Sequence, residues 1–179
     1  MRGIASVLVT AVISGTVVLS SASVAIALEP NRRAEIVESV GKFVEAIGCS
    51  YEADNQQDLL IADLGATELE GTTYIAFPMV DVGCVVGSGT IYFMPVVLTA
   101  SDFGSQTPYV DLWATANVDF VELPGRALEA VEALDANHIR IAGYSYREDD
   151  PSCCPTKRVD RVYKQHWGRG EGLWVPEFD

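Results

Sequence analysis

Hydrophobic and polar positions change rhythm three times along this chain. Residues 3 to 28 carry no charge, residues 31 to 47 repeat apolar side chains every three or four positions, and beyond Leu59 apolar residues come in short runs cut by glycine. In the second stretch Ile36, Val37, Val40, Phe43, Val44 and Ile47 fall on one face of a helix, which predicts an amphipathic helix over Asn31 to Ile47. Asn31 is its expected N-cap and Gly48 its stop. The β-branched and aromatic runs that follow predict strands near Leu59 to Leu64, Thr72 to Val80, Thr90 to Thr99, Tyr109 to Ala116, Ile139 to Tyr146, Arg158 to Trp167 and Leu173 to Val175. Glycines at 83, 87, 89, 104, 168, 170 and 172 punctuate them. A second, short helix is expected over Arg126 to Leu134, where Leu128, Val131 and Leu134 line one side and Glu129 and Glu132 the other. The expected fold is therefore α+β: mainly antiparallel β-sheet, with an N-terminal amphipathic helix and one short internal helix.

The first rhythm has a separate meaning. Arg2, the apolar run from Ile4 to Leu19 and the small-residue pattern Ala25-Ile26-Ala27 have the layout of an export signal, with cleavage expected after Ala27. A retained membrane anchor is the competing reading, and the serines at 14, 20, 21 and 23 argue against it by diluting the apolar run. Removing residues 1–27 of the 179 leaves 152, expected to form a single domain over 28–179. These carry 11 basic and 25 acidic residues, since Arg2 is the only charge lost. A net charge of −14 repels phosphate backbones, so no nucleic acid is expected as a partner. Thr90 to Ala100, the most apolar internal run, is too short to span a bilayer, so no transmembrane span is expected after cleavage. The expected location is periplasmic or secreted.

An exported chain keeps its cysteines oxidised. The four here are Cys49, Cys84, Cys153 and Cys154, the last two adjacent between Pro151 and Pro155. Neighbouring Cα atoms lie about 3.8 Å apart, below the usual disulfide range of roughly 4.4 to 6.8 Å. Bridges from the pair to Cys49 and Cys84 would instead close loops of about 70 to 105 residues, each nominally worth on the order of 4 kcal/mol. Two long-range bridges are therefore expected, anchoring the tip of a hairpin formed by the strands on either side, with the assignment of partners open.

Little in the sequence points to catalysis. His138 and His166 are the only histidines, and no G-x-S-x-G elbow is present, so a hydrolase would need a site assembled from distant residues with His138 or His166 as base. Adjacent cysteines do not suit tetrahedral thiolate coordination, and no metal or cofactor is expected. The acidic cluster Glu52, Asp54, Asn55 and Asp58 lacks the glycine and distal glutamate of a calcium loop. Glu148, Asp149 and Asp150 read as solvated charge facing Lys157 and Arg158. Tyr144 and Tyr146 share a face by alternation, with Tyr163 and Trp167 on the facing strand, as cross-strand packing partners. If any surface recognises a ligand, the candidate edge is Asp149, Asp150, Tyr144 and Tyr146.

The run Ile139-Arg140-Ile141-Ala142-Gly143-Tyr144-Ser145-Tyr146, followed by Asp150-Pro151-Ser152-Cys153-Cys154-Pro155, resembles a motif of exported bacterial proteins of the LppP/LprE lipoprotein type. The likeness covers about the last 45 residues and centres on D-P-x-C-C-P; Gly87-Ser88-Gly89 is similar to their central turn. This chain departs from them in having no cysteine directly after the small residues of the leader. The resemblance implies export and an envelope location, and brings no activity, substrate or catalytic residue. The expectation is a disulfide-stabilised binding or structural module of the cell envelope, more a binder than an enzyme, whose partner is an envelope protein or another envelope component.

Overall fold

The structure is a computed structural model that describes residues 28–50, 59–67, 71–81, 84, 91–101, 105–124, 126–166 and 172–177. Residues 1–27, the Glu52 to Asp58 cluster, Gly87-Ser88-Gly89 and Trp167 lie outside them. In chain order the elements are α1 (Pro30–Ile47), β1 (Cys49–Ser50), β2 (Leu60–Thr67), β3 (Gly71–Phe77), β4 (Met79–Asp81), β5 (Ile91–Phe93), β6 (Val96–Ala100), β7 (Tyr109–Val110), α2 (Leu112–Asn117), β8 (Asp119–Phe120), β9 (Leu128–Asp135), β10 (His138–Ser145), β11 (Lys157–His166) and β12 (Leu173–Pro176). They form three sheets, with strand orders β1-β4-β5, β2-β3-β6-β7 and β8-β12-β11-β10-β9. Every pairing is antiparallel except β12 with β8. The sheet is thus mostly antiparallel, as the sequence suggests.

The four-stranded sheet is the middle layer, because its central strands are apolar on both faces. On β3, Ile75 and Phe77 enter one cluster with Ala62, Val97, Phe120, Leu128, Ile139, Ile141, Tyr163 and Trp174. The alternate residues Tyr74 and Ala76 enter another with Val96, Leu98 and Ala100 of β6 and with Ile36, Val40 and Val44 of α1. Successive strand residues point to opposite faces, so one continuous apolar run serves both clusters. The helix thus covers one side and the five-stranded sheet the other. Burial raises the pKa of the Tyr74 hydroxyl, as it does that of Tyr163.

Four expectations change. Thr72 to Val80 and Thr90 to Thr99 each break in two, at Pro78 and at Met94-Pro95, because a proline cannot donate to a ladder. The broken halves still pair, β3 with β6 and β4 with β5, so one bent ribbon supplies two sheets. Tyr109 to Ala116 is a strand only at Tyr109 and Val110; the Asp111 side chain then accepts the Ala114 N–H at 2.9 Å and starts α2. At the start of α1 the N-cap is Glu29, with Pro30 in the first turn, and Asn31 already lies inside the helix.

The fourth change is the expected helix over Arg126 to Leu134, which is the edge strand β9. Its register on β10 shifts twice: Gly143 faces Leu128 while Ala142 faces Ala130, and His138 faces Asp135 while Ile139 faces Ala133. Each shift inserts one extra residue, Glu129 and then Leu134. The first bulge lets Leu128 and Val131, three apart, both reach the core. A three-residue spacing that reads as helical is here the mark of a bulge.

Phe120 joins the layers. Its ring stacks on Trp174 (centroids 5.4 Å apart, planes at 6°) and meets Phe77 and Tyr163 edge-on, each at 5.5 Å. Replacing Phe120 with Ala is predicted to cost about 3–5 kcal/mol in urea unfolding; a loss below about 1 kcal/mol would show that the ring cluster does not hold the sheets together. Gly143 is buried at the first bulge, where an added Cβ would strike the Ala127 carbonyl that accepts the Tyr144 N–H. Gly143→Ala should therefore destabilise by roughly 1–3 kcal/mol in the same assay, and wild-type stability would show that β9 yields to the methyl.

Candidate functional site

The hairpin β10–β11 runs in unbroken register from His138 opposite Lys164 to Ser145 opposite Lys157. Residues 146–156 form its tip, which holds the aspartate, the prolines and the adjacent cysteines singled out in the sequence. Asp150 is the tip's organiser. One carboxylate oxygen accepts the N–H of Arg147 and the N–H of Thr156, both at 2.8 Å, and the other accepts the Thr156 hydroxyl at 2.7 Å. The two ends of the loop are thereby clasped to one side chain. The Arg147 N–H, followed by Thr156, holds the Asp150 carboxyl below the usual aspartate range. This replaces the expected role of Asp150 as solvated charge opposite Lys157 and Arg158. Asp149 and Glu148 are exposed.

A second set of contacts fixes the crest. The Ser152 carbonyl accepts the Tyr146 hydroxyl at 2.6 Å and the Arg126 guanidinium at 3.2 Å. Arg126 also lies 6.0 Å from the centroid of the Tyr146 ring. The Cys154 N–H donates to the Pro151 carbonyl at 3.0 Å. Tyr146 lies just past the end of β10 and is 40% exposed, whereas Tyr144 is half-buried in the strand opposite Arg158 and Tyr163 is wholly buried. Of the four expected edge residues, Asp149 and Tyr146 therefore face solvent, Asp150 works inward and Tyr144 belongs to the sheet. Arg126 reaches the tip without having been expected there, and Thr156 takes a clasping role that was not expected of it.

The cysteines are joined differently from the expectation. Cys153 is bonded to Cys154, and both residues are exposed. With the two tip sulfurs bonded to each other, none is left for the expected long-range bridges to Cys49 and Cys84. The tip extends from the five-stranded sheet, whereas Cys49 begins β1 of the three-stranded sheet, opposite Asp81 of β4, and Cys84 follows β4 and donates its N–H to the Asp81 carbonyl. Cys84 is itself disulfide-bonded.

The histidines do not join the tip. His138 Nδ1 lies 2.9 Å from both oxygens of Asp135, in the turn between β9 and β10 at the far end of the hairpin. Asp135 also accepts the Asn137 N–H at 2.7 Å, and that bond comes first among the causes that lower its pKa. The arrangement closes a turn. His166 is exposed and pairs across to Leu173. Among the described residues, no three His, Cys, Asp or Glu side chains gather as a metal site, and no helix is long and apolar enough to cross a membrane. A groove of about 500 Å³ opens elsewhere, between β2 and β9, lined by Leu60, Ile61, Phe93 and Val131 with Arg33 and Glu129. Neither the tip nor the histidines reach it.

The Asp150 clasp makes a pH prediction. A carboxyl with a lowered folded-state pKa contributes fully above its unfolded value of about 3.9 and loses that contribution as the pH falls through the lower folded value. The Arg147 and Thr156 amide signals should therefore move together in an NMR titration below about pH 4. Asp150→Ala should speed exchange of those two amides on the order of tenfold at neutral pH, and unchanged exchange would mean the clasp bears no load. In comparisons with family models, curated proteins and solved structures, no match to this chain was found.

Proposed function

We propose that this chain is an exported module of the bacterial cell envelope that acts by binding, with the β10–β11 tip as its recognition element. The observation that carries the reading is the internal hydrogen bonding of an exposed loop. Eleven residues project beyond the paired strands, yet their ends are clasped by Asp150 and their crest is held at the Ser152 carbonyl. A loop fixed before its partner arrives loses little conformational entropy on binding. Side chains left facing outward, Asp149 and Tyr146 among them, combine a negative charge with an aromatic face, a pairing suited to a polar protein surface. The leader and the D-P-x-C-C-P motif support export and an envelope location.

The test compares immobilised wild-type protein with a Tyr146→Ala/Asp149→Ala variant, using solubilised envelope from the source cell. Glu38→Ala on α1 is the control. A saturable partner retained by wild type and control, and about tenfold more weakly by the tip variant, supports the reading. Equal retention by all three overturns the tip's role. Turnover of ester, glycoside or peptide substrates that disappears in His138→Ala or His166→Ala would replace binding with hydrolysis.

A further inference from the structure

Beyond binding, we propose that the Cys153–Cys154 disulfide is a thiol–disulfide exchange site that takes two electrons from a dithiol without any change in the fold. Three features carry the inference. The bond joins sequence neighbours, so cutting it releases no loop, and the chain-entropy benefit that makes a structural disulfide costly to open is missing. Both residues are exposed, on the crest of a projecting tip, where an incoming thiolate can reach either sulfur. The tip also has supports that do not pass through sulfur: the three bonds to Asp150, and the Tyr146 and Arg126 bonds to the Ser152 carbonyl. The flanking Pro151 and Pro155 further restrict the backbone.

The step balances as follows. One thiolate of the dithiol attacks a tip sulfur, forms a mixed disulfide and expels the other tip cysteine as a thiolate. The second thiol of the donor, as its thiolate, then attacks its own sulfur in the mixed disulfide and releases the first tip cysteine. The donor leaves as a disulfide, and two electrons and two protons have passed to Cys153 and Cys154. The two thiols remain on adjacent residues of a clasped loop, positioned to close again by the reverse exchange with a disulfide oxidant, which takes up the two electrons and two protons and leaves as a dithiol. Cys84 supplies an internal reference. Its sequence neighbours, Gly83 and Val85, carry no thiol, so its disulfide closes a longer loop.

The experiment exposes the native protein to increasing dithiothreitol, traps free thiols by alkylation and maps the labelled peptides while the melting temperature is followed. The proposal expects Cys153 and Cys154 to be labelled at a dithiothreitol concentration at least tenfold below that which labels Cys84. The melting temperature should stay unchanged at that point. Labelling of Cys84 first or at the same concentration, or labelling of the tip only with unfolding, overturns it. A Cys153→Ser/Cys154→Ser variant should fold with the wild-type melting temperature; a variant that fails to fold makes the bond structural and overturns the proposal equally. Asp150→Ala tests the clasp: reclosure of the reduced pair should slow severalfold, and reclosure at the wild-type rate would show that the clasp does not hold the thiols in place.

Discussion

The structure depends on how one aromatic ring is shared. Phe120 sits on a two-residue strand, yet it touches Phe77 of the middle sheet and Tyr163 and Trp174 of the outer one. Stacked and edge-on contacts at 5.4 to 5.5 Å let three rings surround a fourth in the favoured relative orientations. That shared packing fixes the spacing of two sheets whose strands, among the described residues, exchange no ladder bonds. It also fixes β12, which carries Trp174, against β11 and so steadies the hairpin whose far end is the tip. The Trp174 indole N–H is buried there without a hydrogen-bond partner among the described residues, a cost that its stacking on Phe120 and its burial in the core must offset.

The tip inherits its position from this core and its shape from polar contacts. β10 and β11 lie in the outer sheet with Ile139, Ile141 and Tyr163 in the core, so the ladder is held along its length and its end projects as a fixed extension. Within the tip, residues 146–156, no residue is buried, and order passes to Asp150, Tyr146 and Arg126. The division of labour explains why an exposed segment rich in charge can be well defined: each bond there closes a short local circuit, apart from Arg126, which reaches in from the approach to β9.

What could be read from the sequence follows the range of each interaction. The sheet class was legible because Tyr74 to Phe77 and Val96 to Leu98 are continuous apolar runs of strand length, which is how a strand buried on both faces reads. β9 was not, because the extra residue in its first bulge gives a strand the spacing of a helix. α2 was hidden because Tyr109 and Val110 lead into it as a strand, and its only start signal is Asp111. The hairpin and its prolines were legible from local composition, but the disulfide pairing was not, since it depends on which sheet each cysteine joins. Arg126 and Thr156 left no signal: the first acts on a carbonyl 26 positions away, and the second is one polar residue among many.

The two bulges of β9 have a consequence for the protein in a crowded solution. β9 is the edge of the five-stranded sheet, and a flat edge invites the strand of another molecule to add to it. Here the regular stretch is confined to Ala130–Ala133, between extra residues at Glu129 and Leu134, with Glu132 in its midst. An added strand would find only four residues of regular backbone before the register breaks at either end, with a negative charge within them, and β2 of the same chain already packs close along β9. The same irregularity that disguises the strand therefore also shortens the edge it could offer to another chain.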